Sequence, residues 1–148
     1  MFQGETAISV DEKGRLAIPT AYRDLIAHAC NNLLTVAYNP FEQGCLWLLP
    51  VRDWEKVRDE VNSLSRTVAA HRNLQLKLVG AAMHVDVDAN GRVLVPASQR
   101  GATGLGKNAV LLGMGSKFEL WAEEAHQRQI AMTIGESAVT PEMSKLSL

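Results

Sequence analysis

The sequence predicts a mixed α+β, strand-dominated fold in which one unit of hairpin, short helix, hairpin and helix is used twice. Three observations predict it. Residues 10–23 return as residues 87–100: Asp11, Gly14, Arg15, Pro19 and Arg23 match Asp88, Gly91, Arg92, Pro96 and Arg100, each pair 77 positions apart. Such an internal repeat constrains architecture before any local propensity does. The approaches to both copies, residues 6–10 and 83–87, alternate apolar with polar or small residues, the period of a half-buried strand. Further short apolar runs, bounded by Pro and Gly, follow each copy at matching places.

Each copy of the repeated stretch reads as strand, tight turn, strand. The turn opens on Asp11 or Asp88, whose carboxylate can accept hydrogen bonds from backbone N–H groups of the turn. It closes on Gly14 or Gly91, placed where a bulged hairpin turn takes a left-handed residue. A side chain on a left-handed backbone there would cost about 1 kcal/mol or more. Pro19 and Pro96 end the outgoing strands.

Residues 20–29 then read as a short helix with Tyr22, Leu25, Ile26 and Ala29 on one face. Residues 33–38 and 45–49 are apolar strands, broken by Asn39-Pro40 and Pro50. A helix follows, with Asp53 as its expected N-cap and Trp54, Val57, Val61 and Leu64 as its stripe. Residues 68–79 extend the helical pattern and bridge the copies. The second copy repeats the order with strands over 109–114 and 117–121. There Phe118 and Leu120 are expected to face inward, with Lys117, Glu119 and Trp121 on the other face. Residues 122–132 form its helix, patterned by Ala125, Ile130 and Met132. This gives a first repeat at 1–77 with the connecting helices, a second at 78–132, and a mobile tail at 133–148.

A chain of 148 residues with 47% apolar content can bury a core, but each half alone is marginal in size, so two halves sharing one core are expected. No apolar run is long enough to span a membrane, and the first residues lack the pattern of a signal peptide. Cys30 and Cys45 form no C-x-x-C pair and are expected to be reduced thiols in a cytoplasmic protein. The net charge of −1 is unlike the basic excess of most nucleic-acid binders. Any basic surface must therefore arise from arrangement, with Lys13, Arg15, Arg23, Arg92 and Arg100 gathered on one face.

Just past each turn, Arg15 and Arg92 are aimed from equivalent places. A two-stranded β-ribbon fits the DNA major groove, where Arg can bind guanine O6 and N7 together. Lys13, at the turn tip, suits a phosphate. Asp and Arg four residues apart can equally pair with each other and serve only to hold the turn. The two roles are compatible. Arg23 and Arg100 are second-rank DNA candidates, with helix capping or ion pairing as the competing role.

Other patterns carry less. Residues 101–107 have the G-x-x-x-x-G-K spacing of a phosphate-binding loop, but Asn108 stands where Ser or Thr should reach Mg²⁺, and an apolar strand follows. Asp86, Asp88 and Asn90 resemble half a calcium loop, yet Ala97 occupies the position of the final Glu. His28, His71, His84 and His126 lack metal-ligand spacing and read as surface or helix-end residues. No metal, cofactor, small-molecule substrate or catalytic residue is expected, and the chain does not read as an enzyme.

The stretch Asp-Glu-Lys-Gly-Arg-Leu-Ala-Ile-Pro resembles the DNA-binding hairpin of the AbrB-like (SpoVT-AbrB) family. Its duplication, an N-terminal Met-Phe-Gln-Gly and a late Phe-Glu-Leu-Trp resemble that family's two-copy bacterial transcriptional regulators. The resemblance implies two intertwined AbrB-like halves forming a hairpin barrel with short flanking helices. It implies assembly into a closed homo-oligomeric ring, binding to double-stranded DNA at short direct repeats, and regulation of the chain's own division and cell-wall gene cluster. It also implies a cytoplasmic, nucleoid-associated location. The family's D-x-x-x-R residues fall on Asp11 and Arg15, and on Asp88 and Arg92. Its lysine before the glycine is matched by Lys13 but not by Asn90, so either the first copy is expected to bind DNA more strongly or the second to serve mainly in assembly. Two alternatives stand beside this reading: an antitoxin-like protein-interaction module, and a nucleotide-binding enzyme using Gly101 to Lys107.

Overall fold

The computed structural model describes residues 1–148. The first copy supplies β1 (Phe2–Ser9), β2 (Arg15–Ala17), α1 (Thr20–Cys30), β3 (Leu33–Tyr38), β4 (Cys45–Pro50) and α2 (Val51–Asn62). A bridging helix α3 (Ala69–Gln75) runs into one π-helical turn, Leu76–Gly80. The second copy supplies β5 (Met83–Asp86), β6 (Arg92–Leu94), α4 (Ala97–Thr103), β7 (Asn108–Gly115), β8 (Phe118–Ala122) and α5 (Glu123–Ala131).

The topology differs from the local hairpin that the repeat suggests. The strands flanking each turn do not pair with one another. Instead β1 pairs antiparallel with β7 of the other copy, and β5 with β3. The large sheet has six strands in the order β1-β7-β8-β4-β3-β5, with an approximate twofold between β8 and β4. The outgoing strands β2 and β6 form a separate two-stranded ribbon, one strand from each copy. Each copy has thus given its first strand to the other's hairpin and half of a shared ribbon. The hydrogen-bonded ladder does not close into a barrel; the ribbon packs beside the two edge strands, with β2 against β1 and β6 against β5.

Side-chain alternation explains why the ribbon lies there. Leu16 and Val93 are cross-strand partners, and both are buried in a core of 18 residues that includes Ile8, Ile18, Ile26, Val95, Phe118 and Leu120. Phe2, Tyr22 and Phe118 form an aromatic cluster, with Phe2 and Phe118 stacked at 4.1 Å between centroids. The Tyr22 hydroxyl donates to the Gln3 carbonyl, fastening α1 to β1.

Several expectations are corrected. Helix α1 turns Tyr22, Ile26 and Cys30 to the core, while Leu25 is 45% exposed. Asp53 lies in the first turn of α2, where its charge suits the helix dipole, and Pro50 is the N-cap. Trp121 lies, as expected, on the face opposite Phe118 and Leu120, and is buried there with Cys45 and Val110 because α5 covers that face. The buried residue of α5 is His126, which sits against Trp121 with Nε2 3.2 Å from Glu5, whereas Ile130 and Met132 point outward. Helix formation there follows tertiary docking rather than the apolar stripe.

The turn glycines are doubly constrained. Gly14 and Gly91 have φ of 90° and 75°, and a Cβ on either would collide with an arginine from the other copy, Arg100 and Arg23 respectively. Gly14→Ala or Gly91→Ala should therefore destabilise the protein by about 1–3 kcal/mol, read from the urea midpoint. A wild-type midpoint in both variants would refute this packing.

Candidate nucleic-acid interface

Each turn is built by one carboxylate. Asp11 Oδ1 accepts the backbone N–H groups of Lys13 (2.9 Å) and Arg15 (2.8 Å), while the Asp11 carbonyl accepts Gly14 N–H at 2.9 Å. Asp88 repeats the pattern with Asn90 and Arg92, both at 2.9 Å, and with Gly91. Both carboxyls are held below the usual aspartate range. For Asp11 the main cause is the Arg15 backbone N–H, followed among the lowering effects by the Lys13 N–H and the Arg15 charge; desolvation opposes them. For Asp88 it is the Arg92 backbone N–H, then the Asn90 N–H and the charges of Arg92 and Arg15, again against desolvation.

The turns are stitched together across the copies. The Gly91 carbonyl accepts Ile18 N–H at 2.8 Å, and the Gly14 carbonyl accepts Val95 N–H at 2.9 Å. Arg23 lies over Gly91 and donates Nε–H to the Ile18 carbonyl at 3.0 Å. Arg100 lies over Gly14 and donates to the carbonyls of Val95 (3.1 Å) and Lys13 (3.5 Å). Neither arginine has a carboxylate partner. They clamp the turns, a role that repeat spacing could not reveal because each acts on the other copy.

The ribbon decides which side chains face outward. Leu16 and Val93 point into the core, so Arg15, Ala17, Arg92 and Leu94 share the outer face. Arg15 stands opposite Leu94 and Arg92 opposite Ala17. Leu94 is 51% exposed. Arg15 Nε pairs with Asp11 Oδ2 at 3.2 Å, while Arg92 makes no side-chain bond to Asp88. Lys13 is exposed at the turn tip. All of the predicted turn and DNA-candidate residues thus converge on the ribbon and its two turns. Sequence reasoning names Lys107 only in the glycine-rich nucleotide-loop alternative; its carbonyl accepts Val10 N–H at 2.8 Å, and it lines a cleft of about 650 Å³ beside Asp11, Arg15, Arg23 and Arg92.

The other candidates separate from this surface. The glycine-rich segment ends α4, with Gly104 left-handed as its C-cap, and leads into β7. A phosphate-binding loop runs from strand to helix, so the order here is reversed. Burial raises the thiol pKa of Cys30 and of Cys45, which leaves neither poised as a nucleophile. No group of three or more His, Cys, Asp or Glu residues is placed to hold a metal ion.

The fold and its paired Asp-x-x-x-Arg turns define an internally duplicated protein with exchanged first strands. The family model for the MraZ protein, described as antitoxin-like, matches residues 1–77 and again 78–146. The chain belongs to the MraZ family. It is 60% identical to the transcriptional regulator MraZ of Stenotrophomonas maltophilia (strain R551-3) over 136 residues, 92% of each chain. It is 55% identical to the transcriptional regulator MraZ of Xanthomonas campestris pv. campestris (strain 8004) over 148 residues, 100% of each. To that of Marinobacter nauticus (strain ATCC 700491 / DSM 11845 / VT8) it is 38% identical over 147 residues, 99% of this chain and 98% of the relative.

The turn carboxylates set a pH dependence. Their folded pKa values are lowered, so they contribute fully above the unfolded aspartate value of about 3.9, and the contribution is lost as pH falls through the folded values. Wild type should have a higher urea midpoint than the Asp11→Asn/Asp88→Asn double variant at neutral pH. That advantage should shrink as the pH is taken below about 4. A gap independent of pH would count against charged carboxylates as the turn braces.

Proposed function

We propose that the chain is a sequence-specific DNA-binding transcriptional regulator that inserts the outer face of the β2–β6 ribbon into the major groove. The observation that carries this reading is the ribbon register, which sets Arg15 and Arg92 on one outward face, each beside a carboxylate-braced turn. A two-stranded ribbon has the width for that groove, and arginine is the usual reader of guanine there. Lys13 contacts a phosphate. Arg23 and Arg100 act on DNA through the turns they clamp.

The relatives' name, transcriptional regulator, supports the same reading. The target is the promoter of the chain's own division and cell-wall gene cluster, recognised through short direct repeats. The two copies, 1–77 and 78–132, act as one body, with 133–148 an appendage outside it. Subunits assemble into a closed ring in the cytoplasm, associated with the nucleoid. A ring resolves the charge problem, because linking modest contacts raises avidity by about 10² to 10⁴ without any new kind of contact. A chain of net charge −1 can then bind through a locally basic rim. This is regulation, not catalysis.

Binding to a fragment from upstream of the gene, titrated with salt, tests the reading. Log affinity should fall with log salt by about 0.9 per phosphate neutralised. Arg15→Ala should cost about 1–3 kcal/mol and relax sequence preference, and Arg92→Ala less. Arg23→Ala and Arg100→Ala should lower the melting temperature as well as affinity. A wild type that binds the fragment no better than scrambled DNA would end this proposal.

A further inference from the structure

Resting on the DNA-binding reading above, we propose that Lys107, which belongs to the second copy, is a phosphate-binding residue of the first copy's turn.

The approximate twofold makes the case. The residue before each turn donates its N–H to the loop ahead of the other copy's central strand: Val10 to the Lys107 carbonyl and Val87 to the Asn32 carbonyl, both at 2.8 Å. Val10 and Val87 are equivalent in the repeat, so Lys107 and Asn32 occupy equivalent places. Lys13 and Asn90 are likewise equivalent. The molecule has therefore placed two lysines around the first turn and two asparagines around the second. Carboxylates do not cancel the difference. Each turn has its own arginine, Arg15 or Arg92, and one clamping arginine from the other copy, and each has two nearby acidic residues in sequence, Asp11 and Glu12 or Asp86 and Asp88, so the two lysines are the difference between them.

Lys107 is free to act. It is exposed, has no ion pair, and donates no side-chain hydrogen bond. It lines the cleft that also holds Arg15, Arg23 and Arg92. The one carboxylate of that cleft, Asp11, already serves two backbone N–H groups and the Arg15 guanidinium. An incoming anion meets a set of cations whose nearest carboxylate is occupied. DNA lying along the outer face of the ribbon has its backbone at the groove edges, where a flexible point charge is suited to phosphate. Each subunit then grips DNA with a strong end at the first turn, where Lys13 and Lys107 stand, and a weak end at the second, where Asn90 and Asn32 take their places.

The test uses the full-length protein in its native assembly and the upstream fragment, with affinity measured across a range of salt. Lys107→Ala should reduce the salt slope by about 0.9 for each subunit engaged and leave the preference over scrambled DNA unchanged. Lys107→Arg should keep the wild-type slope. Lys145→Ala, which removes an exposed lysine of the tail, should also leave it unchanged. Equal slopes for wild type and Lys107→Ala, with sequence preference intact in both, would overturn the assignment and spare the DNA reading. A wild type with neither slope nor preference would overturn both.

Discussion

Each copy closes the other copy's turn, and the rest of the molecule depends on that reciprocity. Gly14 must be glycine because its backbone is left-handed and because Arg100 lies on its face; Gly91 stands in the same relation to Arg23. The carbonyls of the two glycines accept N–H groups of Val95 and Ile18 across the boundary. These contacts fix where β2 and β6 begin, and so which side chains of the ribbon face out. A one-residue slip would turn Arg15 and Arg92 inward and expose Leu16 and Val93. The buried Leu16–Val93 pair makes that slip costly, so core packing and the presentation of arginine are a single constraint.

Charge is organised by the same geometry. Composition shows a near-neutral chain, and neither half has a basic excess. The fold concentrates cations by bringing one residue set from each copy to the ribbon. One oxygen of each aspartate there accepts two turn N–H groups, which also hold the carboxyl pKa values low, and the second oxygen of Asp11 pairs with Arg15. The carboxylates therefore shape the surface more than they neutralise it. An exposed leucine, Leu94, stands on the outer face opposite Arg15, so this face offers an apolar contact as well as charge.

What was legible in the sequence was local. The turns could be read because Asp, Gly and Arg act within five residues of one another, and the period of two placed the strands. The pairing of those strands could not be read. Alternation says that a residue faces inward but not which strand lies beside it, so the residue pattern alone suggests a local hairpin; intertwined halves are expected from the family resemblance, and the exchange of first strands agrees with that expectation. The same limit hid the clamping role of Arg23 and Arg100 and the position of Lys107, all of which act across more than 65 residues of chain. His126, expected at the surface or a helix end, is buried for a related reason: α5 covers the reverse face of the sheet and packs the histidine against Trp121.

The exchange of first strands also sets the order in which the molecule can be made. Strand β1 leaves the ribosome well before its partner β7, residues Asn108–Gly115. Until most of the chain has been synthesised, the opening strand has an unpaired edge and Phe2 lacks the Phe118 ring on which it stacks. Such long-range pairing slows folding and leaves strand edges open to other chains in the interval. The first copy is thus not a finished object awaiting a duplicate. Its strands β1 and β2 gain their pairing partners only when the second copy arrives, and until then the nascent chain carries an open edge that its own later half covers.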